Sequence, residues 1–257
     1  MLRFLRWLLS PGYRLIKIII IAGILIAAIW LTLQFADLVQ DIRDPRSQLM
    51  WQWFQSDPSQ RDQLVTAQID ACPGAPFVLP ADGFIGLLYN DPRGPYSQSH
   101  PHQGIDIFSN TDPGTTPVFA AYDGFITRES DWRSSIILRI PQDPLAPQRQ
   151  IWLYYTHMAD QDGNDYISDA IPPGTKDLFV EQGTFLGYTG NYNGNSLRNI
   201  WVHLHFSIVH DDGNGRYLSE LDITNTIDPS PYLGINVNYA CENANTGCTA
   251  DTSCANT

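Results

Sequence analysis

Basic residues are scarce in this chain: 15 Lys and Arg stand against 27 Asp and Glu over 257 residues, a formal charge of −12. Four of the 15 (Arg3, Arg6, Arg14 and Lys17) precede residue 36 with no acid among them, so the remainder is more acidic still. That balance excludes nucleic acid as a partner, because binding it needs clustered Lys and Arg to displace phosphate counterions. Cysteine is sparse too. Cys72, Cys241, Cys248 and Cys254 form no C-x-x-C and lie away from the histidines in sequence, which excludes a cysteine zinc site. Beyond residue 36 no long segment keeps a 3.6-residue apolar period, and no internal repeat is visible. The last 20 residues contain no Ile, Leu, Val or Phe and cannot build a core.

What the chain has is a folding composition, 43% hydrophobic and 12% aromatic, which rules out general disorder. It also has one long apolar run. From Ile18 to Ala36, 19 residues carry no charge. As a helix they span about 28 Å, near the hydrocarbon thickness of roughly 30 Å, with Lys17 able to snorkel to the interface. The four positive charges before the run, against mixed charges after it, put the N-terminus in the cytoplasm and the rest outside. A cleaved signal peptide is the alternative. Its apolar core is shorter and ends at a small-x-small site not evident after Trp30, so the sequence predicts an uncleaved anchor.

Four regions follow from composition: residues 1–36, a cytoplasmic N-terminus and transmembrane anchor; 37–75, a polar juxtamembrane segment with one or two short helices broken at Asp57-Pro58; 76–235, a β-rich domain; and 236–257, a Cys-containing polar tail. Within the third, short runs rich in β-branched and aromatic residues alternate with Gly, Pro, Asn and Asp. They are Gly83–Tyr89, Gly104–Phe108, Pro117–Ala121, Gly124–Arg128, Ser135–Ile140, Ile151–His157, Thr184–Tyr188 and Ile200–Val209. The pattern predicts a mainly β, antiparallel domain. Outside the membrane the cysteines can be oxidised. Three pairings are open, and the expectation is Cys72–Cys241, tying the domain's ends, with Cys248–Cys254.

The chemistry sits in two strands. In "HQGID", an extended chain puts His102, Gly104 and Asp106 on one face, with Gly104 expected to leave space between imidazole and carboxylate. Alone this is a weak metal signal. In "IWVHLHFSI", His203 and His205 share one face of a buried-looking strand, while Val202, Leu204 and Phe206 share the other. Two such imidazoles need partners. A structural pair and a cupin-type site are the alternatives, but a cupin strand needs a Glu nearby, and the next is Glu220, beyond "HDDGNG". Together the two strands supply three histidines and one carboxylate, donors that suit zinc. His157, ending "IWLYYTH", is the next candidate, as a proton carrier or oxyanion stabiliser. His100, in a Pro-flanked loop, and His210, at a turn, are weaker. The acidic loops "DQDGND" and "HDDGNG" read as plain turns rather than calcium loops.

"HQGIDIF", "GTTPVFAAYDGFIT", "WLYYTHMA", "VEQGTFLGYTGN", "HLHFSI" and "IDPSPYLG" follow one another as in the lysostaphin/LytM-type zinc metalloendopeptidases, which the chain resembles from about Pro76 to Gly234. The resemblance implies an antiparallel β domain with a substrate groove, one Zn2+, and hydrolysis of peptide bonds in peptidoglycan, which would be the substrate partner. It implies His102, Asp106 and His205 as zinc ligands, with His157 and His203 as catalytic histidines outside the ligand set. There are departures: Thr156 stands where the family usually has Gly, Ser207 where it often has an acid, and residues 190–201 and 159–180 look long. These bear on substrate selectivity and leave the five site positions intact. The alternatives are a non-catalytic relative that binds cell wall or activates an amidase, and a surface protein with a structural zinc.

Overall fold

The computed structural model describes residues 14–43, 45–66, 70–194, 197, 200–240 and 253–254. Two compact units are present, Met1–Phe54 and Gln55–Thr257. The first holds a 30-residue helix, Arg14–Arg43, followed by the helix Pro45–Gln55. Side chains of the long helix are described over residues 16–32, about 25 Å at the α-helical rise. Most of the Ile and Leu there are exposed, Ile18 at 62% and Ile26 at 67%. Among the described residues no helix is long and apolar enough to cross a membrane. Asp57 is extended ahead of Pro58, where the next short helix, Pro58–Arg61, begins, because proline's ring disfavours the α conformation in the residue before it.

The second unit is built on β-strands: β1 (Phe84–Leu87), β2 (Ile105–Phe108), β3 (Pro117–Phe119), β4 (Gly124–Thr127), β5 (Ile136–Ile140), β6 (Ile151–Thr156), β7 (Leu178–Val180), β8 (Phe185–Tyr188), β9 (His203–His210) and β10 (Thr226–Ile227). Eight form one sheet in the order β1-β2-β9-β6-β5-β4-β7, with β10 also pairing with β9, and β3 with β8 makes a second, small sheet. Every strand pairing is antiparallel. The mainly β, antiparallel domain expected from the sequence is therefore present. β7 and β10, of three and two residues, had no recognisable run.

Period-2 alternation divides the large sheet into two faces. Ile105, Ile107, Leu204, Phe206, Ile208, Leu153, Tyr155, Ile136 and Leu138 all lie in the main core, each large side chain contributing about 1.5–3 kcal/mol on burial. The other face carries Asp106, His203, His205, Ser207, Tyr154 and Thr156. Its far end is closed by an apolar patch of Ile137, Trp152 and Val209, packed by Trp132 and Tyr217. A one-residue slip of β9 would send both histidines into the core. That coupling makes the apolar face a device for fixing the register of the polar one.

The long segment 159–180 is tied down by a buried arginine. Arg128 donates to the Ile171 carbonyl at 3.0 Å and to Asp165 Oδ2 at 2.8 Å. In the acidic turns one oxygen of the leading aspartate is engaged by the turn's own backbone. Asp160 Oδ1 accepts from the N–H groups of Asp162 and Asn164, and Asp211 Oδ1 from those of Gly213 and Gly215, as Asx-type turns do.

One disulfide corrects the sequence expectation. Cys72 is bonded to Cys254 and not to Cys241, which also removes Cys254 from the expected bridge to Cys248. Cys241 and Cys248 lie outside the described residues. Cys72 is buried beside Gly234, near the end of the domain. The expected closure of the domain's two ends is made, but by the more distant cysteine of a tail whose composition gives no clue to choose between them.

Candidate metal and catalytic site

Three buried side chains from two adjacent strands converge. Antiparallel pairing sets Asp106 of β2 directly opposite His205 of β9, and His102, just before β2, reaches the same point. His102 Nε2 lies 3.0 Å from His205 Nδ1 and 3.1 Å from Asp106 Oδ1, and His205 Nδ1 lies 2.9 Å from Asp106 Oδ1. Among the described residues this is the His/Cys/Asp/Glu group that could hold a metal ion. The residues are 0%, 4% and 5% exposed for His102, Asp106 and His205.

These residues fit a zinc ion. Ligands at bonds of roughly 2.0–2.1 Å in a tetrahedral site stand about 3.3 Å apart, close to the observed triangle. The outer nitrogens agree with this. His102 Nδ1 is 2.9 Å from the Leu88 carbonyl, to which it donates, so its Nε2 is bare and able to ligate. His205 turns Nδ1 into the triangle and its buried Nε2 outward, toward Glu220 Oε2 at 3.4 Å. As a ligand set, both rings place their proton on the outer nitrogen. Two imidazoles and one carboxylate, with no fourth protein ligand among the described residues, match an open, catalytic type of zinc site rather than a closed structural one.

Electrostatics follow from the crowding. Burial disfavours the Asp106 carboxylate, yet His102 and His203 beside it hold its pKa well below the usual range. Burial also opposes a charge on His205, but Glu220 and Asp106 outweigh it and push the imidazole up to about 10. A metal taking His205 Nδ1 competes with that proton.

His157 and His203 stand next to the triangle with ring centroids 4.4 Å apart. Neither belongs to the converging set. His203 follows from the alternation of β9. Its Nδ1 donates to the Trp201 carbonyl at 2.7 Å, and its ring stacks on Phe108 across the strand pair. His203 Nε2 is 3.8 Å from Asp106 Oδ2. His157 leaves β6 with φ at +70°, a left-handed conformation that a non-glycine residue holds only when its surroundings demand it. Its Nδ1 donates to the Tyr192 carbonyl at 2.6 Å. Both rings thus carry their proton on Nδ1 and keep Nε2 as an acceptor. Burial, reinforced by neighbouring histidines, lowers His157 to about 3 and also lowers His203, so both are neutral at pH 7.

A groove of about 430 Å³ opens beside these residues, lined among others by Tyr96, Gln103, Ser135, Tyr154, Thr156 and Glu220. Thr156 opposes His205 across the β6–β9 pair, and its hydroxyl meets Ser135 Oγ at 2.6 Å. The residue departing from the family pattern is thus part of the groove wall. Tyr96 packs on His102 with centroids 4.5 Å apart. Burial, then the carboxylates of Asp106, Glu220 and Asp91, keep its phenol protonated. Tyr96 and Glu220 were not singled out as site residues from sequence. The only sequence signal for Glu220 was the serine standing where an acid is usual.

Two expectations need correcting. Gly104 leaves no space for a metal: a Cβ there would strike the Phe206 carbonyl oxygen and Ser207 Cβ. Glycine is required because β9 passes against it. His210 is the last residue of β9 rather than a turn residue. His100 is exposed, bonded to Ser99, and takes no part in the site.

No protein-family model and no curated protein matches the chain. Solved structures are similar. The catalytic domain of the antimicrobial peptidase lysostaphin from Staphylococcus simulans is 20% identical over 57% of this chain and 88% of that one, with a TM-score of 0.37. Csd3 from Helicobacter pylori is 19% identical over 62% of this chain and 33% of that one, with a TM-score of 0.38. A putative glycyl-glycine endopeptidase LytM from Ruminococcus gnavus is 21% identical over 74% and 71%, also at 0.38. Two of these, lysostaphin and LytM, bear the names of the family that the motifs resemble.

Proposed function

We propose that the chain is a membrane-anchored zinc endopeptidase that hydrolyses peptide bonds in the stems or cross-bridges of bacterial peptidoglycan. The observation that carries this is the triangle of His102 Nε2, Asp106 Oδ1 and His205 Nδ1, flanked by two neutral histidines with free Nε2 atoms. Zinc, when bound there, supplies Lewis acidity to a water and to the scissile carbonyl. The chain's own residues do the rest. His157 and His203 accept a proton at Nε2, stabilise the developing oxyanion once protonated, and return a proton to the leaving amine. Backbone carbonyls of Tyr192 and Trp201 hold both rings in the required tautomer. Tyr96, a protonated phenol at the groove, offers a further donor to substrate.

Peptidoglycan as substrate rests on the motif resemblance and on a groove lined mostly by polar and aromatic side chains, which suits a peptide backbone. The anchor rests on the 19 uncharged residues from Ile18 to Ala36 and the positive charges before them. It places residues 76–235 outside the cytoplasm. A reporter fused after residue 36 is then expected on the outer side, with the mature protein keeping its own N-terminus. A new N-terminus near residue 37 would replace the anchor with a cleaved signal.

The enzymatic proposal is tested by incubating the full chain in detergent with purified peptidoglycan. Digestion is expected, with loss on chelation and recovery on adding zinc. Undigested peptidoglycan, with the protein still bound to it, would favour the non-catalytic wall-binding alternative.

A further inference from the structure

A histidine that ligates through one nitrogen must place the proton of the other, and buried ligands do this on a carbonyl or a carboxylate. His102 uses the Leu88 carbonyl. His205 Nε2 is buried with no hydrogen-bond partner of good geometry, and Glu220 Oε2 stands 3.4 Å from it. Glu220 comes from the loop after β9, far from the ligands in sequence. It is held by Ser207, two residues along the same strand face as His205, whose hydroxyl donates to that same Oε2 at 2.6 Å. The loop backbone is pinned on both sides of it: the Ser219 carbonyl accepts from Asn225 at 2.9 Å, and the Leu221 carbonyl from Gln103 at 3.4 Å. Among the described residues no Lys or Arg pairs with this carboxylate, whose side chain is 21% exposed.

We propose that Glu220 is the positioning residue for the metal ligand His205: its carboxylate accepts the outer Nε2–H, and Ser207 anchors it. The inference rests on the zinc reading above. Glu220 lies on the Nε2 side of the ring and is not among the residues whose ligand atoms converge. With its proton held on Nε2, the ring presents a bare, more basic Nδ1 in the correct orientation. A narrower role, in which Ser207 and Glu220 merely pin the loop, predicts a different outcome from the same variants.

The test is zinc affinity of the full chain, measured by competition with a chelator, beside melting of the metal-free protein. His205→Ala should lose zinc. Glu220→Ala should bind it about 10–100-fold more weakly, with metal-free melting unchanged. Glu220→Gln keeps the size and an acceptor oxygen but not the charge, and should fall between wild type and Glu220→Ala. If Glu220→Ala also melts lower, Glu220→Gln decides. Restored melting with zinc binding still weakened supports the positioning role, and full restoration of both overturns it. Zinc affinity of Glu220→Ala within twofold of wild type also overturns it. Wild type that takes up no zinc, or His205→Ala that keeps it, would instead remove the underlying zinc reading.

Discussion

Alanine at His102, Asp106 or His205 is expected to abolish metal binding and hydrolysis together. Each substitution removes one of three converging donors, and two remaining ligands cannot fix the ion against water. The loss should exceed the roughly 10–100-fold that follows removal of a supporting partner. Asp106→Ala should be the most severe, because it removes the one negative charge that His102, His203 and His205 share. Bound metal, counted per chain after desalting, is the primary readout, and peptidoglycan turnover the second. An Asp106→Ala protein that retained stoichiometric metal would refute the ligand set.

Alanine at His203 or His157 should separate the two properties. Neither ring belongs to the converging triangle, so one zinc should stay bound. Turnover should fall by about 10²–10⁴, the usual effect of losing a positioned acid–base group, or roughly 3–5 kcal/mol of barrier. His203 and His157 face each other at 4.4 Å and act on the same reacting centre, so the double variant should lose less than the product of the two single losses. A structural zinc protein would show no turnover to lose, and a wall-binding module would show the same null. Loss of zinc in His203→Ala with retention in His205→Ala would reverse the assignment on β9.

The polar face of β9 was legible because a strand must alternate. With Leu204, Phe206 and Ile208 committed to the core, His203 and His205 had to share the other side, and the antiparallel partner carrying Asp106 had to be found nearby. The other strands of the large sheet, apart from the short β7 and β10, were legible for the same reason, as runs of Ile, Leu, Val and aromatic residues between turn residues. What stayed hidden depends on contacts between segments distant in sequence. The backbone of β9 fills the space beside Gly104, and only the packed structure reveals it. Tyr96 and Glu220 sit in loops with no periodicity, and their relation to the site is a matter of where those loops land. Ser207 alone carried a trace of this, since a serine where an acid is usual leaves room for a carboxylate from elsewhere. The disulfide was half legible: Cys72 as one end follows from its position before the domain, whereas Cys254 as the other depends on the path of a tail with no apolar pattern.

The central claim is that this site cuts peptide bonds with a metal held by His102, Asp106 and His205. Mass spectrometry of fragments released from purified peptidoglycan by the zinc-loaded full chain tests it most directly. The account predicts fragments with new amino and carboxyl termini inside the peptide portion, absent with chelator and absent with Asp106→Ala. Fragments ending in new sugar reducing ends, or the same peptide fragments from the Asp106→Ala protein, would contradict it.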